Sequence, residues 1–324
     1  MKHVSVLVPE SALLTAIDDP RHVFSAVNRF YETEGKPAVF DIKFVGAKRK
    51  VNLHRDSFTV HTDFLLNEVE RTDLIFVPAF EGDFNNYLEK NKDFLPWIKE
   101  QHRKGAEVVS LCIGAFLLAE TGLLRGKQCS THWRAADQFR RMYPDVNLVE
   151  GKIITEEQGI YTSGGATSYW NLLLYLVEKY TSRETAILAA KYFAIDIERH
   201  SQSQFIMFTG QTEHADEEIK KAQKFIENNF QKRITIDELS TKFALSRRSL
   251  ERRFKRATNN TVSEYIQRVK IEAAKKRLET SRKNISEVMF DVGYSDTKAF
   301  RGIFKKITGM TPLDYRNKYN KGVW

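Results

Sequence analysis

The chain has little of what secreted, membrane-spanning or metal-holding proteins need. Its 324 residues include two cysteines, Cys112 and Cys129. Two thiols make no disulfide framework and suit a reducing cytoplasm. No Cys/His cluster has zinc-site spacing, so neither a metal nor another cofactor is expected. No apolar stretch approaches the roughly 20 residues of a membrane span. The apolar run near the start, residues 4–8, is too short for a signal-peptide core and reads as a buried strand. There is no phosphate-binding loop of the G-x-x-x-x-G-K-[ST] type. His54-Arg55-Asp56 matches a protein-kinase triplet, but the glycine-rich loop, strand lysine and magnesium motif are missing, so the match is a coincidence. The expectation is a cytoplasmic protein with no membrane contact.

The last third is also short of acid. Residues 215–324 hold 26 Lys and Arg against 14 Asp and Glu, a net of +12, whereas residues 1–214 carry −3. A polyanion-binding surface therefore belongs to the C-terminal part. That part contains one unit written twice. Ile236, Leu239, Ser246, Leu250, Phe254, Thr258, Thr261 and Tyr265 return as Ile285, Val288, Ser295, Phe300, Phe304, Thr308, Thr311 and Tyr315. The offset is 49 residues at first and 50 from the phenylalanines on. In copy one, Ile236, Leu239 and Phe243 make a helical core face, Ala244-Leu245 a turn, and Ser246 a cap for a second helix. Copy two repeats this with Ile285, Val288 and Val292, a turn at Gly293-Tyr294-Ser295, and Ser295 or Asp296 as cap. Helix, tight turn and basic helix make a helix-turn-helix, whose second helix enters the major groove of double-stranded DNA. Arg247, Arg248, Glu251 and Arg252 face outward in the first copy, and Thr297, Lys298 and Arg301 in the second. The helix between the copies, about 20 residues, spans roughly 30 Å, close to the roughly 34 Å of one DNA turn. An RNA-binding reading needs aromatic stacking surfaces, and the aromatics here fall on core positions.

These residues resemble the AraC/XylS family of transcription regulators. The resemblance covers about residues 218–320. It is densest at Asp291-Val292-Gly293-Tyr294-Ser295-Asp296, Phe300, Phe304-Lys305-Lys306, Thr308-Gly309-Met310-Thr311-Pro312 and Tyr315-Arg316. It implies that Arg248, Glu251 and Arg252 sit at base edges in the first helix, and Thr297, Lys298 and Arg301 in the second. The chain departs from the family at Asn259-Asn260-Thr261-Val262, where Gly then Ser-Pro is usual. It departs again at Gly302, where the family often has a base-reading Arg.

Before residue 195 strands and helices alternate, which implies a parallel sheet covered on both faces. Strands are expected near 39–45, 73–78, 107–111 and 158–162, with helices near 21–32, 95–104, 114–120 and up to 179. Val108 to Phe116 reads as strand, cysteine, then small residues opening a helix. Such an elbow presents its side chain near a helix N-terminus, where the dipole favours a thiolate. Locally, a buried and inert cysteine fits as well. Thr121-Gly122-Leu123-Leu124, Ser130-Thr131-His132-Trp133 and Ser163-Gly164-Gly165-Ala166-Thr167-Ser168 resemble the amidotransferase-like PfpI/ThiJ superfamily over about residues 3–195. The joined architecture resembles GlxA-type regulators. This resemblance implies a flavodoxin-like α/β sandwich with a pocket over the elbow, lined by Cys112, Ile113, His132, Gly164 and Gly165. Enzymatic relatives often have His directly after the Cys, where this chain has Ile113, or an acidic residue in the loop after the first strand, where Asp18 and Asp19 come only later. A ligand-sensing pocket without catalytic residues is therefore expected. The alternative is a cysteine-dependent hydrolase or glyoxalase-like enzyme with a DNA-binding module attached. The resulting expectation is a sensor domain at 1–198, a linker at 199–214 and an all-α domain of two helix-turn-helix units at 215–324. The resemblance further implies a homodimer that acts on a promoter and answers a small effector, such as a nitrogen-containing metabolite of the amino-acid or betaine kind.

Overall fold

The computed structural model describes residues 1–197 and 201–320, and the chain divides into two compact units, Met1–Gln202 and Ser203–Trp324. Residues 199 and 200 of the expected linker lie outside the described residues. Gln202 is buried within the first unit, and Phe208 packs against the apolar core of the second.

The first unit opens with β1 (Lys2–Leu7), whose last four residues are buried, as a strand covered on both faces requires. Next come α1 (Leu14–Thr33), β2 (Phe40–Gly46), β3 (Lys50–Leu53), β4 (Phe58–His61), β5 (Phe64–Leu65) and β6 (Leu74–Val77). Then follow α2 (Phe84–Lys90), α3 (Phe94–Arg103), β7 (Glu107–Ser110), α4 (Ala115–Glu120), β8 (Gln128–Cys129) and α5 (Ala136–Met142). The unit closes with β9 (Asn147–Leu148), β10 (Ile154–Glu157), β11 (Ile160–Ser163), α6 (Tyr169–Tyr180) and α7 (Arg183–Tyr192). The main sheet runs β10-β11-β7-β6-β1-β2-β5, and every pairing is parallel except β10 with β11 at the edge. One apolar core joins Phe24, Phe76, Leu172 and Val177, and the other joins Ile75, Val77, Ile98 and Phe116. The unit is the flavodoxin-like α/β sandwich expected.

One element departs from the expected bounds. Helix α1 begins at Leu14 rather than near Arg21 and carries Pro20 inside it. Proline removes one helical hydrogen bond, but Ala16, Ile17, Pro20, Val23, Phe24 and Val27 form one buried face that holds the helix together. The kinase-like triplet forms the turn of the β3–β4 hairpin. His54, Arg55 and Asp56 all have positive φ, at 49°, 53° and 67°.

The second unit is helical throughout: α8 (Glu217–Asn229), α9 (Ile236–Lys242), α10 (Arg247–Thr258), α11 (Val262–Thr280), α12 (Ile285–Asp291), α13 (Thr297–Thr308) and α14 (Pro312–Tyr319). The repeat is visible in its hydrogen bonds. Thr258 Oγ1 donates to the Phe254 carbonyl at 2.8 Å, and Thr308 Oγ1 to the Phe304 carbonyl at 2.8 Å. Tyr265 donates to Glu227 of α8 at 2.5 Å, and Tyr315 to Glu279 of α11 at 2.6 Å. Helix α11 thus does for copy two what α8 does for copy one. Its first half, with Tyr265 and Val269, belongs to one core, and its second half, with Ile271, Ala274 and Leu278, to the other.

The caps also locate the extra residue that changes the offset. Ser246 caps α10 by accepting the Ser249 N–H, and Asp296 caps α13 by accepting the Ala299 N–H. The inserted residue therefore lies in the second turn, and Ser295 is not the cap. Asn259 ends α10 with φ 55°, taking the left-handed place that Gly309 takes after α13.

The two turns differ in strain. Ala244 holds φ 50° where copy two has Gly293 at φ 75°. A side chain at positive φ costs about 1–2 kcal/mol. Ala244→Gly is expected to raise unfolding stability by up to about 1 kcal/mol, after the added unfolded-state entropy of glycine is counted. Gly293→Ala is expected to be strongly destabilising, because its Cβ would lie 2.2 Å from the Gln231 carbonyl oxygen. Thermal melts of the two variants check both signs.

Candidate functional site

Two places in the structure gather the chemistry-bearing residues. The first is the outer face of the two basic helices. Arg247, Arg248, Glu251 and Arg252 are exposed on α10, and Thr297, Lys298 and Arg301 on α13. They follow the helical period while Leu250, Phe254, Phe300 and Phe304 turn inward to full burial. Arg247 is engaged within the unit, with Glu251 Oε1 at 3.4 Å and Asp237 Oδ1 at 3.5 Å. Arg248 and Arg252 have no ion pair among the described residues, so their guanidinium groups are available to an outside acceptor. A Cβ on Gly302 would meet nothing within 4 Å, so packing does not require glycine there.

The second place is a cavity of ≈ 570 Å³ above the elbow. Cys112 sits there at φ 55°, two residues beyond the end of β7. Its N–H donates to Ser163 Oγ at 3.2 Å, and its carbonyl accepts from Thr131 Oγ1 at 3.0 Å. Gly114 allows the tight approach that follows, since a Cβ there would lie 2.5 Å from the Val77 carbonyl oxygen.

Cys112, Ile113 and His132 all line the cavity. Gly164 and Gly165 do not. Gly164 abuts the Gln202 side chain, Gly165 faces Ser168, and their loop contributes Ala166 and Thr167 instead. The earlier start of α1 adds residues the sequence reading set aside. Thr15 and Asp19, one helical turn apart, both reach the wall. Tyr169 Oη donates to Asp19 Oδ2 at 2.6 Å, and Trp170 also bonds this carboxyl. Burial nevertheless pushes the Asp19 pKa above the usual carboxylate range. Phe84, Arg134 and Gln138 also line it.

The cysteine is not poised as a nucleophile. Burial pushes its thiol pKa up to about 12, outweighing the lowering by the Ile113 backbone N–H. His132 does not offer a base. Its Nδ1 accepts the Arg134 N–H at 3.1 Å, and burial together with the Arg134 charge holds its pKa below the ordinary imidazole value. A neutral ring that accepts at Nδ1 carries its proton on Nε2, which leaves no lone pair for the thiol proton. No group of three or more His, Cys, Asp or Glu among the described residues could hold a metal ion. No helix of the described residues is long and apolar enough to cross a membrane.

Comparison with known proteins agrees with both halves of this geometry. The model of the DJ-1/PfpI family matches residues 18–179, half of the chain, and that of a helix-turn-helix domain matches residues 239–318. The chain belongs to the DJ-1/PfpI family and carries an AraC-type helix-turn-helix domain. It is 26% identical over 226 residues to the HTH-type transcriptional regulator ArgR of Pseudomonas aeruginosa, covering 69% of this chain and 68% of that protein. It is 25% identical over the same length to GbdR of that organism, of which the match spans 61%. CdhR, also from Pseudomonas aeruginosa, is 23% identical over 265 residues, 82% of this chain and 78% of that protein. Among solved structures, a candidate transcriptional regulator from Vibrio parahaemolyticus shares the fold with a TM-score of 0.53 at 23% identity, over 59% of this chain and 98% of that one. An AraC family regulator from Pseudomonas putida does so with 0.51 at 14%, over 60% and 100%.

A thiol of pKa about 12 is ionised in about one molecule in 10⁵ at pH 7. Iodoacetamide at neutral pH is therefore expected to leave Cys112 unmodified in the folded protein and to alkylate it after denaturation. Peptide mass spectrometry reads the difference.

Proposed function

We propose that this chain is a DNA-binding transcription regulator whose first unit binds a small metabolite in the Cys112 cavity and whose copies pair in the cytoplasm. One observation carries the DNA-binding part. Two capped basic helices of 12 residues each hang on one shared helix of 19 residues. At 1.5 Å per residue that helix is about 28 Å long. This spacing suits two successive major grooves on one face of a duplex, with contacts to an asymmetric site.

Arg248 and Arg252 supply the base contacts in this reading, since unpaired guanidinium groups suit the O6 and N7 acceptors of guanine. Arg247, held by two carboxylates, serves as a positioned phosphate contact. Thr297, Lys298 and Arg301 provide the weaker second contact. Arg248→Ala is expected to cost about 1–3 kcal/mol on a selected site and to relax its sequence preference. Arg247→Ala weakens all sequences alike. Gly302→Arg is expected to tighten binding, because the position is open and solvent-facing. Fluorescence anisotropy on specific and scrambled duplexes distinguishes these outcomes.

The cavity lining supports a zwitterionic effector. Asp19, on a wall that also carries Tyr169, Trp170 and Phe84, suits an ammonium or quaternary nitrogen. Arg134 on the cavity wall suits a carboxylate. A cation beside Asp19 would also offset the desolvation that now raises its pKa. In a thermal-shift screen of amino acids and betaines, the stabilising compound is expected to lose its effect in Asp19→Asn and Trp170→Ala but to keep it in Cys112→Ser. Turnover of any compound abolished by Cys112→Ser would contradict the sensor reading. Pairing is checked by the mass in solution, expected at twice that of one chain.

A further inference from the structure

The outward residues of α10 account for its DNA face, but Arg253 is not one of them. It lies on the side of α10 that faces α8 and is bound there. Arg253 Nε donates to Asp216 Oδ2 at 2.8 Å, and Arg253 Nη2 donates to Asp216 Oδ1 at 2.5 Å. Asp216 is also the cap of α8, where Oδ1 accepts the Ile219 N–H at 3.3 Å. The same carboxylate thus closes the start of α8 and holds α10 by a bidentate fork. Both partners are part-buried, with side-chain exposures of 32% and 24%.

The contact beneath this pair is apolar. Ile219, Ala222 and Ile226 of α8 pack with Leu250 and Phe254 of α10, all five fully buried. Such burial resists separation of the helices, but it is not directional, so it fixes sliding and rolling poorly. A two-bond guanidinium–carboxylate fork is directional. It sets where α10 stands along and around its own axis, and hence where Arg248 and Arg252 point.

The repeat provides an internal control. The position that Arg253 takes in copy one is Ile303 in copy two, one residue before Phe304 as Arg253 is one before Phe254. Ile303 is packed against the apolar core of its own unit. Both sequences therefore use this position to seat the basic helix, by packing in copy two and by an ion pair in copy one. The ion pair is found in the copy with the denser arginine face.

We infer that Arg253 and Asp216 form a positioning pair that sets the register of α10 for sequence reading, without either residue touching DNA. This rests on the reading of α10 as a recognition helix. Asp216→Asn separates a positioning role from a phosphate contact by sign, because Asn caps a helix about as well as Asp while losing the charge that holds Arg253. If Arg253 positions α10, Asp216→Asn and Arg253→Met each weaken binding to a selected duplex about tenfold. Binding to scrambled duplex and the slope of log affinity against log salt stay unchanged, and Arg253→Lys restores part of the loss. If Arg253 contacts phosphate, Asp216→Asn frees it and tightens binding to every sequence, while Arg253→Met lowers the salt slope by about 1. That result, or wild-type specificity in both variants, overturns the inference. Arg248→Ala in the same series keeps the two readings apart. If it too leaves binding unchanged, the recognition-helix reading has failed rather than the positioning role. Melting temperatures alongside show whether any loss is one of folding.

Discussion

The second unit depends on one helix having two jobs. α11 closes the core of the first helix-turn-helix with Tyr265 and Val269 and opens that of the second with Ile271, Ala274 and Leu278. Because its surface is buried in two successive cores, it ties both basic helices to one rigid element. Its start is fixed by a reciprocal capping box, in which Thr261 accepts the Glu264 N–H at 3.2 Å and Glu264 accepts the Thr261 N–H at 2.7 Å. Buried Lys270 adds a tie to copy two by donating to the Gly293 carbonyl at 2.9 Å. Separate units on a loose linker would lack such a shared element.

The first unit follows a different constraint. A parallel sheet must be covered on both faces, and its connections bring functional residues to the carboxyl ends of the strands. Here β7 ends at the Cys112 elbow, and the loop after β11 contributes Ala166 and Thr167 to the same cavity. The fold has kept the backbone geometry of a nucleophile site, with its positive φ. Its chemistry is gone, since the thiol is buried and the nearby imidazole is neutral with its accepting nitrogen occupied. What remains is a concave site lined by Asp19, Arg134, a neutral His132 and several aromatic rings.

Much of this was legible in the chain. The doubled unit, its apolar faces and its caps follow from side-chain spacing, which is local and strongly periodic. The charge partition located the basic surface. Less legible was anything decided by contacts between distant residues. Pro20 hid the first turns of α1, and with them Asp19, because the packing that overrides a proline is not written near it. The paired glycines after β11 suggested a pocket lining, but the chain turns them toward Gln202 and Ser168. Asp296 rather than Ser295 caps α13 because the second turn is one residue longer. The role of Arg253 emerges only when α8 is placed beside α10.

In the proposed function the two basic helices address DNA together, tied to one another by α11. Hydroxyl-radical footprinting of the full chain on a duplex selected from random sequence tests this most directly. Two protected patches are expected on one face of the duplex, centred about one helical turn apart. A single patch, patches at variable separation, or no selected sequence at all would contradict it.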